Sequence, residues 1–139
     1  MLTLVSSIYF FFALSLSVCL SLCHTRKDNS GLDGTLPSEL FALPHLEVLY
    51  INGESKLVGK LPSKMSTNME HLTELRISGT GVSGTIPPEF YVDTMPKLQV
   101  LRLPQNKFVG TIPWRSIIDN LHETLTLLDF ALNPTLTGM

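Results

Sequence analysis

The chain has 139 residues, with 10 basic and 12 acidic side chains and a net charge of −2. That balance excludes a broad basic field of the kind that grips phosphates, so nucleic acid is not expected as a partner. With an apolar leader set aside, about 110 residues remain, enough for one domain of ordinary size.

In chain order, residues 1–23 carry no charge and are dominated by Leu, Phe, Ile, Val and Ser, most densely from Ile8 to Leu20. Such a run is a signal peptide or a signal anchor rather than part of a globular core. Ser21 and Cys23 form a small-x-small cleavage site before His24, while the absent positive n-region fits a retained anchor. Either way the secretory pathway is expected to place the rest outside the cell or at its surface, the second case leaving it anchored through residues 2–23. Arg26 and Lys27 just beyond the segment oppose that orientation if it stays. Membrane contact is expected only through residues 1–23, and only where they stay uncleaved. Cys19 and Cys23 both fall in this leader, so no disulfide is expected in the remainder.

Residues 24–33 read as an entry segment with half a repeat. Asn29, Leu32 and Gly34 have the spacing of Asn133, Leu136 and Gly138 near the other end. The strand that a whole coil needs before them would fall on Ser21 to Arg26, the end of the leader and the start of a charged dipeptide. The array is therefore expected to start halfway through a coil.

From residue 34 to 139 the chain is self-similar. GTLP at Gly34, GKLP at Gly59, and GTIP at Gly84 and Gly110 lead to a last Gly138, dividing the array near 34–58, 59–83, 84–109 and 110–137. Each later glycine is preceded by an LxxLxL ladder: Leu46, Leu49, Ile51; Leu72, Leu75, Ile77; Leu98, Leu101, Leu103; and Leu125, Leu128, Phe130. In LxL alternate residues point one way, so one short strand cannot bury its apolar side alone and each copy must stack on the next. From each glycine to the next ladder's first Leu the count grows through 12, 13, 14 and 15 residues. The extra length accumulates on the return path, around Asn68, Val92 to Thr94 and Ile118 to Thr124. The proline after each glycine motif limits helix there to a first turn or a 3₁₀ piece.

The pattern LxxLxLxxNxLxGxIP resembles the plant-specific class of leucine-rich repeats found in receptor-like kinases, receptor-like proteins and polygalacturonase inhibitors. Leu98 to Pro113 (LQVLRLPQNKFVGTIP) fits it at every defined position, with Phe108 standing for the second Leu. The resemblance covers about 110 residues, is specific for fold and says little about ligand. It implies an α/β-type repeat solenoid, a right-handed superhelix with a parallel β-sheet on its concave face and a 3₁₀ or irregular convex side. Asn106 and Asn133 hold the place of the turn ladder asparagine, which bonds free backbone groups in a buried bend. Glu54 and Thr80 hold it in the two earlier copies, where a weaker or rewired ladder is expected. The array lacks the family's cysteine-paired N-terminal cap, and a part of a longer receptor-like protein is expected.

Stacked strands align their outward residues in columns. The central column reads Tyr50, Arg76, Arg102, Asp129; beside it run Val48, Glu74, Val100, Leu127 and Asn52, Ser78, Pro104, Ala131. Arg76 and Arg102 repel as neighbours unless Asp129, Glu74 or an anionic ligand lies between them, and Tyr50 is placed to stack on Arg76. Tyr50, Glu74, Arg76, Gln99, Arg102 and Asp129 are the candidate ligand-binding residues on the concave face. The resemblance implies an extracellular module that takes a protein or peptide ligand, or a glycan, with or without a co-receptor. A secreted inhibitor of a cell-wall hydrolase is the other class it implies.

Signs of catalysis are missing. Gly79, Gly81 and Gly84 spell GxGxxG, but the last of them is the repeat's own glycine and no helix pattern follows. His24, His45, His71 and His122 stand apart at non-equivalent places, without metal spacing. No GxSxG, HExxH, Walker loop or CxxC occurs. No catalytic residue, metal or cofactor is expected.

Overall fold

The computed structural model describes residues 24–28, 31–36, 40, 41, 43, 45–62, 69–87, 95–121 and 123–138, with backbone alone for 24–28, 120 and 121. The expected leader, 1–23, lies outside the described residues, as do Asn68 and residues 92–94 of the return path. Among the described residues, ten strands alternate between two five-stranded parallel sheets.

The principal sheet takes β1 (His24–Asp28), β3 (Val48–Asn52), β5 (Glu74–Ser78), β7 (Val100–Arg102) and β9 (Leu127–Asp129), in that order. Leu49, Leu75, Leu101 and Leu128 stand in one register line across it. The ladder residues of β3, β5 and β7, from Leu46 to Leu103, are all buried. Those of β9 (Leu125, Leu128, Phe130) are only partly so, because among the described residues no coil covers their far side. Two methionines deepen this core: Met69 and Met95 are fully buried, and their carbonyls cap Leu72 N and Leu98 N at 3.1 Å. They sit where Leu43 sits in the preceding coil, three residues ahead of each ladder.

Three features correct the sequence expectations. First, the array does not begin halfway through a coil: β1 pairs along its whole length with β3, setting Thr25 opposite Leu49 and Lys27 opposite Ile51. A strand with no leucine forms there because, outermost among the described residues, it can be held by its backbone bonds to one neighbour. Second, the return path holds a sheet of its own, in the order β10 (Thr135–Thr137), β8 (Lys107–Thr111), β6 (Gly81–Gly84), β4 (Lys56–Lys60) and β2 (Asp33–Thr35). In it each motif glycine faces the apolar residue two places before the next one: Gly34 with Leu57, Gly59 with Val82, Gly84 with Phe108, Gly110 with Leu136. The glycine is required by backbone shape, since φ at these positions runs from +85 to +117°.

Third, the longest return is neither 3₁₀ nor irregular. It winds into α1 (Trp114–Leu121), starting directly after Pro113. Proline suits a helix start, where its missing N–H has no partner to lose, and Ile117 N closes on Pro113 O at 3.1 Å. Ile117 is buried, while Arg115, Ile118 and Asp119 face out. Trp114 meets Phe130 edge-on with ring centres 6.3 Å apart, covering part of the last ladder.

Candidate functional site

The turns after β3, β5, β7 and β9 each hold one residue in the left-handed region. Gly53 (φ 72°), Gly79 (φ 61°), Gln105 (φ 56°) and Leu132 (φ 58°) fill it in successive coils. Behind this turn the ladder residue ties coil to coil. Asn133 Nδ2 donates to Leu103 O of the preceding coil (2.8 Å) and Phe130 O of its own (2.9 Å), while Oδ1 accepts Phe108 N (3.1 Å). Asn106 Nδ2 donates to Ile77 O (2.8 Å) and Leu103 O (3.0 Å), and its Oδ1 accepts both Thr80 N (3.1 Å) and Thr80 Oγ1 (2.6 Å).

Glu54 and Thr80 rewire this ladder. Buried Glu54 accepts Leu32 N at 2.8 Å through Oε2, the amide that corresponds to Phe108 N, so it keeps the acceptor half of the asparagine's work. It lacks the amide NH2 group with which Asn106 and Asn133 each donate to two carbonyls. Thr80 Oγ1 gives its hydrogen to Asn106 and accepts Val82 N at 3.2 Å, bracing the turn from within its own coil.

The central column stands as the sequence placed it, Tyr50 beside Arg76, Arg76 beside Arg102, Arg102 beside Asp129. Arg26 extends it by register beyond Tyr50. The flanking line Val48, Glu74, Val100, Leu127 is equally continuous. Gln99 stands outside these columns, exposed at the sheet's edge, where its carbonyl receives Thr126 N (2.8 Å) and Thr126 Oγ1 (3.0 Å). Thr73 makes the same pair of bonds to Glu47 O.

The two arginines are separated electrostatically by the protein's own carboxylates. Arg102 Nε (3.2 Å) and Nη2 (3.0 Å) both reach Asp129 Oδ2, and Asp129 Oδ1 accepts Ala131 N at 3.0 Å. The Ala131 amide holds the Asp129 carboxyl below its ordinary value; partial burial opposes this, and the Arg102 guanidinium adds to it. Arg76 Nε lies 2.9 Å from Glu74 Oε2, two residues along the same strand. That contact is a charge pairing without hydrogen-bond geometry, and Nε is buried with no acceptor among the described residues. Arg76 and Arg102 are thus each matched by one carboxylate, and the four side chains remain about a quarter to two-fifths exposed.

Sequence reasoning missed one link on this face and one off it. Ser78 Oγ donates to Asn52 Oδ1 at 2.7 Å, joining β5 to β3. His45 and His71, expected to stand apart, occupy equivalent places immediately before Leu46 and Leu72, and their rings lie 5.9 Å apart. Coil stacking brings together residues 26 apart, a spacing visible only once the repeat is aligned.

A family model described as Leucine Rich Repeat matches residues 71–92. Receptor-like protein 39 of Arabidopsis thaliana is 33% identical over 124 residues, covering 81% of this chain and 14% of that protein. Receptor-like protein 43 of the same plant is 36% identical over 93 residues, covering 66% of this chain and 12% of that protein. The chain thus spans about one-seventh or less of the length of these curated relatives. Among solved structures, a BIR3–SERK2 complex from Arabidopsis thaliana superposes with a TM-score of 0.65 at 28% identity, over 76% of this chain and 53% of the other. The leucine-rich-repeat ectodomain of the receptor kinase SOBIR1, also from Arabidopsis thaliana, shares the fold, with a TM-score of 0.55 at 21% identity over 81% of this chain and 70% of that one. A repeated LxxLxL core, two stacked parallel sheets and these likenesses agree: the chain is a leucine-rich-repeat solenoid, similar in sequence to a segment of receptor-like proteins.

Proposed function

We propose that this chain is an extracellular recognition module of a receptor-like protein, and that it binds a protein or peptide partner on the outer face of the principal sheet. The observation that carries the reading is the continuous column Tyr50, Arg76, Arg102, Asp129 with Glu74 beside it. It joins one aromatic ring to charges already set in opposite-sign pairs. Aromatic and arginine side chains are the groups that most often dominate protein interfaces. Because each arginine has a carboxylate beside it, the face suits a polypeptide of mixed charge better than an acidic glycan, which would meet as much repulsion as attraction. The BIR3–SERK2 neighbour is itself a complex of named proteins, which supports a protein as partner, and the receptor-like relatives support placement at the cell surface. The same relatives favour the recognition module over a hydrolase inhibitor.

The test is capture of extracellular proteins by the wild-type chain and by a folded Arg76→Glu/Arg102→Glu variant. Reversal sets four acidic side chains together and is expected to abolish retention of any specific partner. Equal capture by both proteins would retire this face as the binding surface.

A further inference from the structure

Asn52–Gly53 is the one Asn-Gly step in the sequence. Such a step is chemically labile, because glycine offers its backbone nitrogen to the preceding amide without steric hindrance. In the chemistry at issue, Gly53 N loses its proton to solvent base and attacks Asn52 Cγ, forming a C–N bond. The side-chain nitrogen then leaves as ammonia, and water opens the resulting succinimide to aspartate or isoaspartate. Overall one water is consumed and one ammonia released, with no other reactant.

We propose that Asn52–Gly53 is a deamidation site locked by the pairing of β3 with β5 and released when these strands part. Two backbone features hold the nitrogen away from its target. Asn52 is the last residue of β3, so its backbone is extended and points the following nitrogen away from Cγ. Gly53 N donates to Ser78 O at 3.0 Å, which fixes its direction. Attack needs the nitrogen freed of its proton and its lone pair aimed at Cγ, and a Gly53 N–H bonded to Ser78 O is fixed in direction and slow to lose that proton. The third contact works the other way. Ser78 Oγ donates to Asn52 Oδ1 at 2.7 Å and polarises the amide, so the protection lies in where the nitrogen is held and not in a less reactive side chain.

Opening therefore leaves a permanent mark. The product carries a new negative charge in the column shared with Ser78. In its isoaspartate form it also adds a methylene to the backbone between Ile51 and Gly53. Gly53 N then no longer reaches Ser78 O in register, and β3 cannot close fully on β5 again.

The whole chain is incubated in mildly alkaline buffer, folded and in denaturant, then digested and read by mass spectrometry with enzymatic detection of isoaspartate. In denaturant the Asn52 peptide is expected to convert well ahead of those holding Asn106–Lys107 and Asn133–Pro134. In the folded chain it should be slower by about tenfold or more, a barrier difference of at least about 1.4 kcal/mol. Folded Ser78→Ala keeps the Ser78 carbonyl and should keep most of the protection. Equal rates folded and unfolded, or no excess over the Asn106 peptide in denaturant, would overturn the proposal. So would folded Ser78→Ala reacting at the unfolded rate, since the hydroxyl rather than the backbone would then be the lock.

Discussion

The coil around β7 and the coil around β9 carry the same motif, yet Leu98, Leu101 and Leu103 are fully buried while Leu125, Leu128 and Phe130 are only partly covered. The difference lies in neighbours. β7 is flanked by β5 and β9, whereas among the described residues β9 is flanked by β7 alone. Burial in this fold therefore belongs to a pair of coils and not to a coil, so the same leucine has a different energetic weight at different places in the stack.

The largest effect that can sharpen this contrast is cavity formation. Leu101→Ala is expected to cost about 2–5 kcal/mol, because both neighbouring coils hold the cavity open. Leu128→Ala should cost less, roughly 1–2 kcal/mol, in keeping with its partial exposure. Denaturant titration of both variants checks the order, and equal losses would break the comparison.

Next comes the ladder between coils. Asn106→Ala strips the buried Thr80 N–H and the Ile77 carbonyl of a partner at once, while Leu103 O keeps its bond from Asn133. A loss of about 1–3 kcal/mol is expected from the unsatisfied groups, read by the same titration.

A gain is expected in the turn of the last coil. Leu132 is 69% exposed and holds φ 58°, where two earlier coils use glycine. Leu132→Gly removes a left-handed backbone cost of about 1–2 kcal/mol against glycine's extra chain entropy of about 0.5–1 kcal/mol, for a net gain of less than about 1.5 kcal/mol. A rise in melting temperature confirms it, and a fall would show that the side chain holds the turn.

The smallest effect is electrostatic. A double-mutant cycle on Arg102 and Asp129 should give a coupling of about 0.2–1 kcal/mol, since both side chains are partly exposed. The folded Asp129 carboxyl lies below its ordinary value of 3.8, so its contribution is present above that value and lost as pH falls through the lower folded value. Wild type should therefore exceed Asp129→Asn in stability near neutrality and lose that advantage in acid. An advantage that persists in strong acid would contradict the assignment.

The principal sheet was legible because two periods coincide, the alternation of LxL within a strand and its return with every coil. The candidate face followed from the same alignment: Tyr50, Arg76, Arg102 and Asp129 needed only the register, whereas Gln99 fell outside the columns because the count was not carried past the strand's end. The second sheet was hidden because β2, β6 and β10 are three or four residues long, rich in Gly and Thr, and show no apolar alternation. β1 was hidden for a related reason, as HTRKD has nothing apolar and its pairing resides in the backbone. Charge pairing was half legible: the carboxylates were named as candidates to relieve the arginines, but which acid meets which base depends on rotamers that no pattern encodes.

Hydrogen exchange along the folded chain tests most directly whether a coil owes its stability to neighbours on both sides. Amides of β5 and β7 should exchange slowest and those of β9 measurably faster, with the boundary falling between Leu101 and Leu128. Protection in β9 equal to that in β7 would contradict the account.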